Sequence, residues 1–251
     1  MLALCEDESV IGRAFYIMAF VPGRVLWEQS LPGMSVEQRR AHYIELNRVL
    51  CCLHRAPYAS LGLSDYGRPG NYIERQISRW SKQYQASITQ PIEAMDRLIE
   101  WLPQHMPASA KTDLTSIVHG DYRLDNCMVN DAGDVVAVLD WEICTLGDPL
   151  ADLGLLMVYW TGPGDEESAW AGAQTAVEGF FDRRDLAERY ARVSGRDISN
   201  IDFYVAFAFW KLACILEGVY ARYSAQDFSR LHLYACFSIG ICHHFDQRID
   251  Y

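Results

Sequence analysis

The sequence predicts an α+β protein, mostly helical, with one small β-hairpin that carries a polar cluster. Three observations lead there. Apolar residues recur at helical spacing on both sides of the centre of the chain. Near the centre, two short apolar runs, SIV at 116–118 and CMVN at 127–130, flank a polar loop, and a third run, VVAVLD at 135–140, follows a turn. Asp121, Asp125, Asn126 and Asp140 are concentrated around those runs, which is more carboxylate and amide than a solvated loop requires. The chain has 251 residues, enough for one large domain or two small ones sharing an interface.

Taken in order, residues 10–21, VIGRAFYIMAFV, read as two short strands around Gly12-Arg13 that end at a Pro22-Gly23 turn. A helix then starts at Ser35, where Ser35 and Gln38 form a capping box and Ile44, Val49, Leu50 and Leu53 supply part of an apolar stripe; Pro57 ends it. The loop GLSDYGRPG leads to a second helix from about Asn71, and a third runs from about Pro91 to His105. Asp131-Ala-Gly-Asp134 reads as a hairpin turn between the CMVN and VVAVLD strands, with both aspartates as turn residues. In GDPLADLGLLMVYW, Asp148 suits an N-cap, Pro149 the first helical position, and an apolar helix follows. The remainder reads as helical, interrupted by polar loops at 161–168 and near Ser194-Gly195-Arg196.

Composition narrows the function classes. Lys+Arg number 22 against 33 Asp+Glu, a net charge of -11, which argues against nucleic acid or an anionic membrane as the main partner because both need clustered cations. An anionic substrate would need a locally basic or metal-filled pocket within that field. The most apolar segment, FYVAFAFWKLACILEGVYA at 203–221, contains Lys211 and Glu217; each would cost about 2.5–3.5 kcal/mol at a bilayer centre, so a buried core helix is expected. The opening MLALCEDESVIG has too short an apolar stretch for a signal peptide, and a cytoplasmic protein is expected. Eight cysteines without a CxxC pair read as small buried hydrophobes; the spacing of Cys236, Cys242, His243 and His244 matches no familiar zinc pattern.

The hairpin brings Asp121, Asn126 and Asp140 to one end of a small sheet, with five positions from Asp121 to Asn126 and fourteen from Asn126 to Asp140, a span that one tight hairpin closes. Hard oxygen donors with open positions suit Mg²⁺, which keeps waters and accepts phosphate oxygens as further ligands. Phosphoryl transfer needs such a set, together with a carboxylate that orients the incoming hydroxyl.

HGDYRLDN at 119–126 followed by LDWE at 139–142 resembles the catalytic loop and metal-binding motif of kinases in the aminoglycoside phosphotransferase family. It fits the H-x-D-x-x-x-x-N pattern of protein kinases, with DWE where those enzymes carry D-F-G. The chain is most similar to the phosphotransferase domains fused to some acyl-CoA dehydrogenases, in which FYIMxFVPG, DYGRPGNYIxRQ, HGDYRxDN and LDWExxTLGDPLxDL recur in this order, so the resemblance runs essentially end to end. It implies a protein-kinase-like C-terminal lobe over 25–251, with the catalytic loop at 119–126 and the metal motif at 140–142, preceded over 1–24 by a remnant of the N-terminal lobe and hinge. It implies Asp121 as the hydroxyl-orienting base, Arg123 beside the transferred phosphate and His119 as a structural brace. Asn126 and Asp140 would be the Mg²⁺ ligands. Either Asp148 or Asp152 would anchor the catalytic loop, the sequence leaving open which; Asp148 before Pro149 is also a helix start in any protein. Asp125 reads as solvated or loop-stabilising. Main-chain groups of Met18, Ala19, Phe20 and Val21 would meet the adenine of ATP; relatives often carry Glu where Ala19 stands, which main-chain contacts tolerate.

The implied reaction is Mg²⁺-dependent transfer of the γ-phosphate of ATP or another nucleotide to a hydroxyl of a small molecule. The fused relatives point to a hydroxylated acyl compound more than to an antibiotic, while carboxylates in the helical lobe would attract a cationic acceptor. The sequence holds no G-x-G-x-x-G, and its lysines, Lys82, Lys111 and Lys211, all follow the hinge, so the nucleotide-covering lobe is expected to be absent and turnover to be weak. Exposed hinge strands would then favour self-association. Two other readings use the same residues: a kinase-like interaction module without turnover, and a metal-dependent phosphohydrolase.

Overall fold

The structure is a computed structural model that describes residues 2–111, 114–161 and 175–224. The Cys236, Cys242, His243 and His244 group and most of the polar loop at 161–168 lie outside the described residues. About the described part, the chain forms seven short strands and six helices: β1 Ala3–Cys5, β2 Phe15–Ile17, β3 Arg24–Val25, α1 Val36–Arg55, α2 Tyr72–Ser87, α3 Glu93–Gln104, β4 Ser116–Val118, β5 Cys127–Val129, β6 Val135–Val138, β7 Thr145–Gly147, α4 Pro149–Tyr159, α5 Arg183–Ser194 and α6 Ile201–Ser224.

The strands make three small antiparallel sheets, β1-β2, β3-β5-β6 and β4-β7. One of these corrects the sequence reading and another adds to it. The first N-terminal strand is Ala3–Cys5 rather than the stretch before Gly12, because pairing selects it: Ala3, Leu4 and Cys5 face Ile17, Tyr16 and Phe15. SIV is a strand, as expected, and it pairs with β7, a strand too short to show a period of its own and not foreseen in the sequence. The hairpin itself forms where expected, with Cys127 opposite Val138, a bulge between Met128 and Val129, and a turn closed by Asn130 and Asp134. β3 adds to its free edge, Arg24 opposite Val129, so the segment leaving residues 18–23 is stitched to the hairpin. Gly23 is needed there, since a Cβ would lie 2.7 Å from Met128 Cγ and 3.0 Å from the Val129 carbonyl.

Helix termini follow the local chemistry. Ser35 Oγ accepts from the Gln38 N–H and Gln38 Oε1 accepts from the Ser35 N–H, the reciprocal capping box. Asp148 caps α4 by accepting from the Leu150 N–H, with Pro149 at the first turn, and Gly195 closes α5 in the left-handed conformation. α4 is buried around its whole circumference, and it crosses α6 closely enough that a Cβ on Gly154 would lie 2.6 Å from the Tyr204 carbonyl oxygen. α6 is long and apolar enough to cross a membrane by length and composition, yet it is the core helix here, with Tyr204, Phe207 and Trp210 buried. Its Glu217 is buried too and accepts from the Thr89 N–H and hydroxyl. α1, α2 and α3 pack with these around one apolar core that reaches β4 and β5.

Candidate active site

The loop from His119 to Asn126 leaves β4 and enters β5, and its shape is imposed from beneath by Asp152, one turn into α4. Asp152 Oδ2 accepts from the His119 N–H at 2.6 Å and Oδ1 from the Gly120 N–H at 2.8 Å. The His54 Nε2–H donates to the same carboxylate at 3.2 Å, while Tyr190 donates its hydroxyl to His54 Nδ1 at 2.8 Å, which fixes the tautomer. Burial would raise the pKa of this carboxyl, but His54 and the two backbone N–H groups hold it below the ordinary carboxylate range. Of the two aspartates that the sequence leaves open, Asp152 is thus the one bonded to the loop. Among the described residues, Asp148 is bonded to the Leu150 N–H of α4 and to the Tyr204 hydroxyl at 2.7 Å, and not to the loop. Gly120 adopts φ +87, which its position between the buried anchor and Ile143 demands.

His119 spans the loop. Its Nε2–H donates to the Leu139 carbonyl at 2.8 Å, and its Nδ1 accepts from the Asp121 N–H at 3.3 Å, so one ring links the loop to the end of β6. The next side chain, Tyr122, points inward and donates to the Leu46 carbonyl of α1 at 2.8 Å. With the residues before and after it tied down, Asp121 projects toward the cavity as a partly exposed carboxylate. The Asn126 Nδ2 donates to the Asp121 carbonyl at 2.8 Å and to Asp121 Oδ2 at 3.1 Å; this leaves Asn126 Oδ1 without a donor among the described residues. The Leu139 N–H donates to the Asn126 carbonyl at 2.8 Å, bringing the following residue, Asp140, to the same end of the hairpin. Asp140 is exposed and held at φ +62, a conformation that Asp tolerates better than most residues.

An unpartnered amide oxygen and an exposed carboxylate at one sheet end are both hard donors. They fit Mg²⁺, an ion that completes its shell with water and phosphate oxygens. No group of three or more His, Cys, Asp or Glu among the described residues forms a closed protein cage.

Two further residues complete the surroundings of Asp121. The Tyr159 hydroxyl donates to Asp121 Oδ1 at 2.9 Å, and burial together with that carboxylate raises the phenol pKa. Arg123 lies over the Tyr159 ring, 5.2 Å from its centroid. Its Nε is 3.4 Å from Asp121 Oδ2 and 3.2 Å from Asp125 Oδ1, without an aligned hydrogen bond to either. Asp125, which also accepts from Gln29 Nε2 at 3.4 Å, stabilises the loop. Met18, Ala19 and Phe20 are exposed, Phe20 by 90%, and lie in the irregular stretch between β2 and β3.

A cavity of about 710 Å³ opens beside Asp121 and Tyr159, walled by α2, α4, α6 and the segment 142–146. That is within the range of small-molecule sites. Another, of about 560 Å³, lies against Asp131–Gly133, His42 and residues 24–34 and touches none of the candidate residues. Sequence reasoning missed Tyr159, Arg79 and the pocket role of Lys211. Leu155 and Tyr159, or Tyr72, Gln76 and Arg79, share helix faces by spacing, but only tertiary packing turns those faces toward Asp121.

A loop of this construction, on a hairpin joined to a short strand and packed on a helical lobe, defines the kinase-like phosphotransferases as a class. This chain belongs to the phosphotransferase enzyme family (APH), which matches residues 1–189. It is 41% identical over 231 residues to the mouse protein acyl-CoA dehydrogenase family member 10, covering 88% of this chain and 21% of the relative, so it spans about a fifth of that protein's length. A solved structure from Ralstonia eutropha JMP134, assigned as an aminoglycoside phosphotransferase, is 47% identical with a TM-score of 0.85 and is matched over 98% of this chain and 77% of its own. The GDP complex of aminoglycoside 2'-phosphotransferase-IIIa shares the fold at 12% identity, with a TM-score of 0.60 over 99% of this chain and 74% of its own.

Proposed function

We propose that this chain is the helical lobe and hinge of a small-molecule kinase, which moves the γ-phosphate of a nucleotide, ATP in the first instance, to a hydroxyl group. Residues 1–24 supply the hinge, with main-chain groups at 18–21 facing the adenine, and 25–251 supply the catalytic lobe. One observation carries this reading: a buried carboxylate, Asp152, holds the loop so that Asp121 and Asn126 are bonded to each other beside a cavity, with Asp140 at the same sheet end. Asp121 orients the acceptor hydroxyl and takes its proton as the phosphoryl group arrives. Asn126 Oδ1 and Asp140 would hold Mg²⁺, which when bound neutralises the phosphate oxygens. Arg123 keeps a guanidinium beside Asp121, next to the hydroxyl to which the phosphoryl group is delivered, and His119 sets the distance between loop and hairpin. The fused relatives favour a hydroxylated acyl compound as acceptor. The cytoplasm is the proposed compartment.

Calorimetric titration of MgATP into the 251-residue chain tests the reading, with Asp140→Ala as control. Saturable binding that the substitution abolishes supports a metal-bridged nucleotide on this lobe. Absence of binding in both proteins rejects the proposal that hinge and metal loop hold nucleotide by themselves.

A further inference from the structure

We propose that the acceptor is an anion, whose carboxylate or phosphate group is held between Lys211 and Arg79 while its hydroxyl faces Asp121. The position of the hydroxyl rests on the phosphotransferase reading above; the anion subsite stands on the pocket alone. The cavity beside Asp121 is lined by four cationic side chains, Arg68, Arg75, Arg79 and Lys211, against two carboxylates, Asp121 and Glu142. That sign is opposite to the net charge of -11 carried by the chain, so it does not follow from average composition. It also opposes the sequence-based expectation of a cation-attracting lobe.

The cations differ in what they are free to do. Arg75 is committed to the fold, its two terminal nitrogens donating to the Gly70 and Arg68 carbonyls. Arg79 rests over Trp80, 5.6 Å from the ring centroid, and has no carboxylate within ion-pair distance among the described residues. Lys211 sits in the middle of the apolar helix α6, beside buried Trp210 and Leu212, and makes no hydrogen bond or ion pair among the described residues. Its ammonium has three donors and no carboxylate within ion-pair distance among the described residues; burial lowers its pKa, and the more distant carboxylates of Asp152 and Asp121 only partly oppose this. An anionic head in the pocket would supply the missing partner with charge-assisted hydrogen bonds. A polyamine acceptor would instead meet a wall of like charge.

Calorimetry without nucleotide, using four probes of one chain length, tests this: 6-hydroxyhexanoate, 6-hydroxyhexyl phosphate, methyl 6-hydroxyhexanoate and 6-aminohexan-1-ol. We expect at least one of the two anions to bind saturably and roughly tenfold or more tighter than the ester and the amino alcohol. Whichever anion binds better identifies the head group. Lys211→Gln and, separately, Arg79→Gln should each weaken that binding by roughly tenfold. Arg79 is exposed, so its variant remains informative if the Lys211 variant fails to fold. Equal binding of all four probes, binding of none, preference for the amino alcohol, or anion binding that neither substitution changes would overturn the proposal. Because nucleotide is absent, failure of MgATP to bind leaves this result standing, and failure here leaves the MgATP titration standing.

Discussion

Asp152→Ala is the perturbation whose cost the geometry defines most closely. The carboxylate is 2% exposed and receives three donors, the His119 N–H, the Gly120 N–H and the His54 Nε2–H. Removing it strands all three in the interior. A buried donor left without a partner costs about 1–3 kcal/mol, giving a gross loss of about 3–9 kcal/mol before relaxation. Water entering the space vacated by the carboxylate returns part of this. We therefore expect a loss of about 4 kcal/mol, a large fraction of the ~5–15 kcal/mol that stabilises a typical domain. Asp152→Asn should fall between, because an amide can accept from one backbone N–H while presenting its own N–H to the other.

The same carboxylate gives the loss a pH signature. Its folded pKa lies below the ordinary 3.8, so its ionisation stabilises the fold above that value and the contribution disappears as pH falls through the lower, folded pKa. Urea denaturation of the parent and of Asp152→Ala at pH 7, 5 and 4 should show a constant gap between pH 7 and 5 that begins to narrow near pH 4. A loss below about 1 kcal/mol at pH 7 would refute the assignment of Asp152 as the loop anchor. A gap that widens on acidification would refute the electrostatic account of it.

Other substitutions test other parts of the argument. Asp121→Asn should lower phosphoryl transfer by about 10²–10⁴-fold while leaving MgATP affinity within a few-fold, read by acceptor phosphorylation beside calorimetry, because the proposed role of the residue is to handle the acceptor proton and not the metal. Ser35→Ala removes the Oγ that accepts from the Gln38 N–H, while the backbone N–H that donates to Gln38 Oε1 remains, and should cost about 1 kcal/mol in thermal or chemical denaturation. Gly154→Ala drives a methyl toward the Tyr204 carbonyl, from which its Cβ would lie 2.6 Å away, and should cost about 1–3 kcal/mol by the same measurement, with α4 and α6 forced apart.

The features legible in the sequence were those carried by contiguous residues. α1 announces itself by Ser35 and Gln38, α4 by Asp148 and Pro149, and the catalytic hairpin by its turn between two apolar runs. β7 was illegible because Thr145-Leu146-Gly147 has neither alternation nor length; it is a strand only because β4 lies beside it. The N-terminal strand was misplaced for a related reason, since ALC and VIG are equivalent apolar triplets until one of them pairs with FYI. Asp148 and Asp152 occupy the same turn of α4, and spacing alone cannot say which carboxylate reaches back under Gly120 and which caps its own helix. Lys211 was visible as a charge inside an apolar helix, a signal used to argue against a membrane span. Its relation to Arg79 depends on α2 and α6 packing together, and no local pattern encodes that.

These placements also explain why the polar loop can be both exact and exposed. Asp121 is partly exposed and Asp140 exposed, so neither is fixed by burying its own side chain. The fold fixes their neighbours instead: Gly120 through Asp152, Tyr122 through the Leu46 carbonyl, and Leu139 through both His119 and Asn126. Each exposed carboxylate is thus flanked by residues tied to α1, α4 or the hairpin. The same hairpin carries β3 on its edge, and β3 is reached from residues 18–23 through a glycine that cannot accept a Cβ. The stretch proposed to meet the nucleotide base and the residues proposed to hold its metal therefore both adjoin one three-stranded sheet, the first leading into β3 and the second flanking β5 and β6.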